Sequence, residues 1–554
     1  MATNADSQLT AHGEESARGQ GSFASRFARG PHLALIVLLA AFVLLQVPFL
    51  GGAFRIDDPN ILAIARQISR APLDPYGFTF NWTGTARPAF EILANPPLAP
   101  ALIAGWAALF GWSEVSLHVL TLIFALAALG AFFSIRRDVV AAALLAASPA
   151  FFISSETVMP DMLMLALVMI AVAAALRGRY TLAFIAGALT PIAKYNGVIA
   201  VALLATVAIR GGQAILPGAE RRGEAGSPVL HRRALAFVAA SPLFGLAIWS
   251  AYSLWQYGAI HLLAVSEERR YNFAHTLADL AVEGKRMAAI DPFISLIVLT
   301  GLAVVPLGWQ LFMRRRYEWA AAIVVLIAAF FVARSAFSYS ISSSILFAIG
   351  VAAGIRAIAL VLTSRNPLAI VWLVALLVFQ AATFAVATRY LLPIVPAALL
   401  AMPRVRRALA IVAIAVSLVV TIPAAIGEKQ AAECYRDFPS HMPQHFYFAG
   451  HWGFQYYASR AGGTLVDVLR PPSYRRGDIL VVASHAFPSP GPLTFHARAV
   501  RVACPTSFPL HTISCDAGAS YNVTEIAGCR RSDIFLPFGF SREPLEEFDV
   551  FVVQ

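Results

Sequence analysis

Apolar runs recur along this chain from residue 32 to residue 426, and they constrain its fold more than any other feature. The chain is 58% hydrophobic and only 13% charged, whereas ordinary soluble domains are roughly 25% charged. Backbone groups inside a bilayer must be satisfied within the chain, so repeated apolar runs predict α-helical spans. The sequence therefore predicts a polytopic α-helical membrane protein.

The net charge of +11 is carried by short basic clusters between the apolar runs. In membrane proteins such clusters mark cytoplasmic loops. The sequence has no basic patch interleaved with aromatic residues, so nucleic acid is not an expected partner. Arginines before the first run place the N-terminus in the cytoplasm. We predict a disordered tail over 1–30, a membrane domain over 31–426 and an extracytoplasmic domain over 427–554.

The pair Arg136-Arg137 decides the orientation of the later segments. It reaches the cytoplasm only if the apolar segment 97–110 lies on the membrane surface, and the later basic clusters then fall on the same side. We predict about thirteen spans in the inner (plasma) membrane, with the C-terminus outside. The segments that fix this topology are a first span at 32–52, an outer loop at 53–114 with two surface helices, two short crossings joined by a turn near Lys194, and a short or tilted span at 391–402.

All four cysteines follow the last apolar run: Cys434, Cys504, Cys515 and Cys529. An even number confined to one region outside the membrane predicts disulfides in an oxidising compartment. Unpaired buried thiols are the alternative, and the spacing does not choose among the three pairings of four cysteines. Strand-like runs at 479–482 and 548–553 predict a small α+β domain here.

Two adjacent carboxylates, Asp57 and Asp58, stand where the first apolar run leaves the membrane. Ionisable residues beside a span are costly and are often functional, so these two are candidates for acid/base or metal-binding chemistry. The alternative is a solvated helix cap, which Asp58-Pro59 fits. Asp161 is the second candidate, although Pro160 and Asp161 also suit the start of a helix.

Three cations are predicted to lie near the outer ends of spans: Lys194, Arg269 (with Arg270) and Arg389. Cations at this depth suit a phosphate group at the lipid boundary. The alternative is ordinary snorkelling of long side chains to the membrane surface.

These motifs together resemble the polyprenyl-phosphate-sugar-dependent glycosyltransferases of the C-type membrane fold (GT-C). Bacterial protein O-mannosyltransferase-like and lipid A aminoarabinose transferase-like enzymes are the most similar in pattern. The resemblance covers most of residues 50–400 in the right order. The motifs that carry it are Asp57-Asp58 with Ile64-Ala65-Arg66, Pro96-Pro97-Leu98, Phe110-Gly111-Trp112-Ser113-Glu114, Ser148-Pro149 through Pro160-Asp161, Lys194-Tyr195 and Arg389-Tyr390-Leu391-Leu392-Pro393.

The chain departs from the family pattern at three positions. Asp58 replaces the usual glutamate, and Ile61 stands where an aromatic residue is often found. Asn95 replaces a lysine that precedes the Pro-Pro pair in some relatives, so a phosphate contact by that lysine is not carried over.

The resemblance implies transfer of a sugar from a polyprenyl-phosphate donor to a hydroxyl acceptor (lipid, glycan or protein) on the outer face, with inversion. Asp57 is then the general base, with Asp58 beside it. Asp161 orients the acceptor or, with Asp57, completes a site for a divalent cation; no other cofactor is implied. The residues implied in holding the lipid phosphate are Lys194, Arg269, Arg389 and Tyr390.

Two other functions stay open from the sequence. A transporter or flippase of lipid-linked sugars would place charges near the bilayer midplane and show paired repeats. Here the acidic residues gather at one face and no repeat is found. A non-catalytic member of the family is the second alternative, and the presence of both acidic motifs argues against it.

Overall fold

The computed structural model describes residues 30–82, 84–210, 228–266, 291–304, 316–383, 387–403, 406–486, 497–522, 529 and 535–554. The predicted N-terminal tail up to residue 29, and Arg269, therefore lie outside the described residues.

Helices make up most of the described chain, in agreement with the predicted fold class. In chain order they are α1 (Gly30–Phe49), α2 (Asp58–Arg70), α3 (Ala89–Ile92), α4 (Leu98–Phe110), α5 (Glu114–Arg136), α6 (Val139–Ala147), α7 (Pro149–Ser154), α8 (Asp161–Ala175), α9 (Tyr180–Ala193), α10 (Ala200–Arg210), α11 (Pro228–Tyr257), α12 (Asp291–Leu299), α13 (Arg316–Ala336), α14 (Ile341–Thr363), α15 (Pro367–Thr383), α16 (Ile394–Ala401), α17 (Arg407–Asp437) and α18 (Trp452–Arg460). Short 3-10 turns cover Tyr195–Ile199 and Thr388–Leu391, and a π-helical turn covers Thr300–Val304.

Within the described chain, six helices are long and apolar enough to cross a membrane. They lie at Gly30–Phe49, Glu114–Arg136, Arg233–Tyr257, Arg316–Ala336, Ile341–Thr363 and Arg407–His441. Shorter apolar helices lie between them, among them α8, α9 and α15. The protein is thus an integral membrane protein with several spans, and the number thirteen stays a prediction.

The loop at 53–114 contains the two helices that the sequence predicts, α2 and α4, which pack against each other. Each has 13 residues, so each is only ~20 Å long and shorter than the ~30 Å of bilayer hydrocarbon. The predicted break near Lys194 is also present, because α9 ends at Ala193 and Lys194 is extended. The segment 391–402 holds only the eight-residue α16, which is too short to cross alone.

The C-terminal region is the predicted α+β structure. Its strands, after the loop hairpin β1 (Thr79–Asn81) and β2 (Ala86–Pro88), are β3 (Phe446–Ala449), β4 (Gly463–Leu465), β5 (Ile479–Ala483), β6 (Ala497–Cys504), β7 (Leu510–His511), β8 (Ile513–Ser514), β9 (Ala519–Ser520), β10 (Gly539–Phe540) and β11 (Glu546–Val553). The main sheet has the order β4-β3-β5-β11-β6, in which β3 is parallel to β4 and β5 whereas β11 is antiparallel to its neighbours.

Two disulfides join all four cysteines, as the sequence predicts. Cys434–Cys504 ties α17 to the edge strand β6, and Cys515–Cys529 closes a loop that includes β9. Several side chains of the C-terminal region belong to the same apolar core as the membrane helices, among them Leu510, Tyr521 and Phe535. The C-terminal region is therefore packed into the membrane domain and is not attached by α17 alone.

Candidate functional site

Asp57 lies on a strained turn between α1 and α2. Ile56 has φ +44° and is buried, a conformation that is costly for a β-branched residue and recurs at functional sites. Asp57 is the residue before α2, but its side chain makes no capping bond to the helix. Its carboxylate, 24% exposed, forms an ion pair with Arg389 instead.

Asp58 is fully buried behind this turn. Its Oδ2 accepts from the backbone N–H of Arg55 at 2.9 Å, and its Oδ1 accepts from the backbone N–H of Val158 at 3.1 Å. Burial raises the pKa of Asp58 to about 7. Asp58 thus joins the turn of Asp57 to the segment before α8, and it is neither a solvated cap nor a group that substrate reaches.

Arg389 lies in the 3-10 turn before α16, and its guanidinium has three neighbours. It binds the Asp57 carboxylate, contacts the Met159 sulfur, and donates to the Tyr390 hydroxyl at 3.2 Å. Burial lowers the pKa of Arg389, but Asp57, Tyr390 and Asp161 together more than offset this, so the pKa is raised overall. Arg389 is therefore a permanent positive charge beside the candidate base.

A second ion pair joins Lys194 to Asp161, the first residue of α8. The Lys194 ammonium lies 4.5 Å from the centre of the Tyr390 ring, and the Arg389 guanidinium lies 4.9 Å from it. Tyr390 is therefore in contact with both cations. The Asp161 carboxylate is only 4% exposed, and its Oδ2 has no hydrogen-bond partner among the described residues.

A buried charge cluster lies behind Asp57. The Arg55 guanidinium binds the Glu156 carboxylate at 3.1 Å and the Glu428 carboxylate at 3.3 Å, and it also donates to the Glu156 carbonyl at 3.0 Å. Both acids are almost fully buried, and burial raises the pKa of Glu156 to about 8. With Asp58, this cluster fixes the turn of Asp57 against the segment before α8 and against α17.

Five predicted site residues come together: Asp57, Asp161, Lys194, Arg389 and Tyr390. Asp58 supports the site from behind, and Arg269 lies outside the described residues. The roles of Arg55, Glu156 and Glu428 were not predicted from the sequence. Charged residues at the ends of apolar runs, such as Glu428, were the signal that could have found them.

The described part of the chain holds no group of three or more His, Cys, Asp or Glu residues suited to a metal ion. Asp57 and Asp161 each face a cation of the protein. Because a divalent cation would have to displace one of these cations and find further ligands, the side chains present do not form a ready site for it. We therefore assign no catalytic step to a divalent cation.

Comparison with solved structures finds similarity to ArnT from Cupriavidus metallidurans. The form bound to undecaprenyl phosphate is 15% identical, with a TM-score of 0.35, over 81% of this chain and 92% of that chain. The apo form is 14% identical, with a TM-score of 0.33, over the same shares. No protein-family model and no curated protein matches the chain. At these TM-scores the similarity assigns no activity.

Proposed function

We propose that this protein is a membrane glycosyltransferase that moves a sugar from a polyprenyl-phosphate carrier to a hydroxyl acceptor, with inversion. The observation that carries the proposal is the pairing of two carboxylates with two cations around Tyr390: Asp57 with Arg389, and Asp161 with Lys194. This group lies at the ends of apolar helices, where a lipid-borne phosphate would arrive.

Asp57 is the proposed general base. Its carboxylate is partly exposed, whereas both oxygens of Asp58 are occupied by backbone N–H groups. In a single displacement, Asp57 takes the proton of the acceptor hydroxyl while that oxygen bonds to the anomeric carbon. The bond from the anomeric carbon to the phosphate oxygen breaks at the same time, which inverts the configuration and releases polyprenyl phosphate.

Arg389, Lys194 and the Tyr390 hydroxyl are the proposed phosphate-binding groups. Positive charges and donors fixed in a site of low dielectric stabilise the charge that develops on the leaving phosphate. In the structure each cation is held by a carboxylate. A phosphate that binds Arg389 would draw it from Asp57, so donor binding would free the base in the same step. Asp161 is then available to orient the acceptor.

The test is Asp57→Asn, produced at normal abundance in cells whose envelope glycans and lipids are compared by mass spectrometry. We expect the sugar increment that depends on this protein to fall ~10²–10⁴-fold, because general-base catalysis contributes about that much. The control is Asp437→Asn, at a carboxylate that is 63% exposed and pairs with Arg436. Near-normal transfer by Asp57→Asn would remove Asp57 as the base. Movement of lipid-linked sugar across vesicles without transfer would favour a flippase.

A further inference from the structure

We propose that Asn522, in the C-terminal region, is a positioning residue for Asp57 and acts through Glu428 and Arg55. This inference rests on the proposed function, because it concerns the placement of the candidate base. Asn522 lies on a segment with no charged candidate of its own, and more than 400 residues separate it from Asp57.

Asn522 reaches the buried charge cluster directly. Its side chain is 3% exposed, and its Nδ2 donates to Glu428 Oε2 at 3.1 Å. The same oxygen accepts from Arg55 Nη1 at 3.3 Å. Asn522 therefore fixes the Glu428 oxygen that holds Arg55, and Arg55 lies two residues before Asp57 in the strained turn.

The chemistry of the cluster explains why an amide occupies this position. One guanidinium faces three carboxyl groups, those of Asp58, Glu156 and Glu428. A neutral donor satisfies a Glu428 oxygen without adding charge, whereas another carboxylate here would be repelled in a buried setting. Glu428 Oε1 has no partner among the described residues, so the loss of Asn522 leaves Glu428 bound through Arg55 alone.

Tyr521, the residue before Asn522, links the same segment to the turn that carries Arg389. The Tyr521 carbonyl accepts from the backbone N–H of Thr388 at 3.0 Å, and Thr388 precedes Arg389. The Tyr521 hydroxyl donates to the Pro149 carbonyl at 2.9 Å, and the ring is fully buried. Consecutive residues of the C-terminal region thus support the turn of Asp57 and the turn of Arg389.

The segment is itself held in place. The short antiparallel pair β8–β9 ends just before Tyr521, and the Cys515–Cys529 disulfide spans it. Ser343 Oγ of α14 donates to the Ala517 carbonyl at 3.1 Å. This last contact holds the same segment without touching Arg55 or Arg389, so Ser343 offers a matched control.

The test compares Asn522→Asp, Ser343→Ala and the double variant Asn522→Asp with Glu428→Gln in the full-length protein. Aspartate has nearly the shape of asparagine. If Asn522 acted through packing alone, Asn522→Asp would therefore transfer sugar at the wild-type rate. A positioning role predicts a fall in kcat of tenfold or more, with the KM for the donor changed less than threefold. The double variant again provides one carboxylate and one amide, and we expect it to regain at least a third of wild-type kcat. Wild-type kcat in Asn522→Asp, or no recovery in the double variant, would overturn the inference.

A second measurement does not depend on transfer. In an Asp57→Cys background, the rate of thiol alkylation reports the placement of the residue 57 side chain. We expect Asn522→Asp to change this rate at least threefold and Ser343→Ala to leave it unchanged. Equal rates in the three backgrounds contradict the inference even if no sugar is transferred. Absence of transfer by the wild-type protein would count against the proposed function alone.

Discussion

At the scale of single residues, the two carboxylates of the site balance its two cations. Asp57 offsets Arg389, and Asp161 offsets Lys194. A ligand must therefore replace a carboxylate at each cation that it engages, and a phosphate group has the charge and the oxygens to do so. A neutral sugar has hydroxyl oxygens but no negative charge, so these four side chains favour a phosphorylated carrier over a free sugar.

Glu156, in the turn between α7 and α8, gives a pH dependence of stability. Burial raises its pKa to about 8 from an ordinary value of 4.5. The folded protein then holds a proton that the unfolded chain has released, so this contribution to stability is complete below about pH 4.5 and is lost as the pH rises through about 8. We expect the melting temperature in detergent to fall between pH 5 and pH 9 and the slope to be shallower in Glu156→Gln. Glu91→Gln, at a side chain that is 47% exposed, should keep the wild-type slope, and an equal slope in Glu156→Gln would refute the assignment.

Four residues of the site were predictable from the sequence: Asp57, Asp161, Lys194 and Arg389. Each lies next to an apolar run, and the pattern of basic clusters predicts that all four lie on the same side of the membrane. Arg55 and Glu428 were not, because their contact joins residues 373 positions apart. No spacing rule reports such a pairing. The role of Asp58 was also hidden, since its helix-start pattern is the same whether its carboxylate faces solvent or two buried N–H groups.

At the scale of elements, α18 packs directly on the backbone that carries Asp57. A Cβ on Gly453 would lie 2.2 Å from the carbonyl oxygen of Phe54, and a backbone atom cannot move aside as the end of a side chain does. Only glycine permits this approach. The Tyr457 hydroxyl, one turn later, accepts from the Phe54 N–H at 2.9 Å, so α18 fixes this segment at two points.

We expect Gly453→Ala to lower the melting temperature and to lower sugar transfer by about tenfold or more, since a displacement near 1 Å can cost on the order of 10²-fold. Gly105→Ala is the control, because a Cβ there meets no atom within 4 Å. Both quantities are measured on purified protein. A Gly453→Ala variant that behaves like Gly105→Ala would show that the α18 contact has no bearing on Asp57.

Elements were predicted well where the apolar pattern is long and less well where it is interrupted. The two helices of the loop at 53–114 and the break at Lys194 follow from length and charge. The eight-residue α16 is shorter than the short or tilted span predicted at 391–402, because Pro393 stands just before its first residue and Pro403 lies just beyond its end. The shortened helix leaves Arg389 on a turn, where its guanidinium reaches Asp57.

At the scale of the whole molecule, the predicted orientation is open to a direct test. Cysteines are introduced at Leu469, which is 78% exposed, and at Arg365, which is exposed in the loop after α14. In intact cells we expect a membrane-impermeant maleimide to label position 469 but to label position 365 only after permeabilisation. The native cysteines are paired and give little background. The reverse pattern would overturn the topology drawn from the basic clusters.

The sequence predicted a C-terminal α+β region with disulfides but not how deeply it enters the membrane domain. Tyr521, Phe535 and Leu536 belong to the apolar core of the helices. The sequence around these residues has the hydrophobic pattern of any small, half-buried β region. Only the long-range packing in the structure shows that the membrane helices bury them. The boundary at residue 427 stays a prediction, and it falls inside the continuous helix α17.

This packing has a consequence for biosynthesis. A ribosome delivers the turn of Asp57 first, whereas Tyr521 and Asn522 emerge more than 400 residues later, after the apolar runs at 32–426. Until the stretch that contains them has folded and Cys515 has paired with Cys529, the turns of Asp57 and Arg389 lack the bonds that Asn522 and Tyr521 provide. A chain that lacks this stretch would reside in the membrane without a completed site. Synthesis from the N-terminal side thus delays the proposed activity until the C-terminal region has folded.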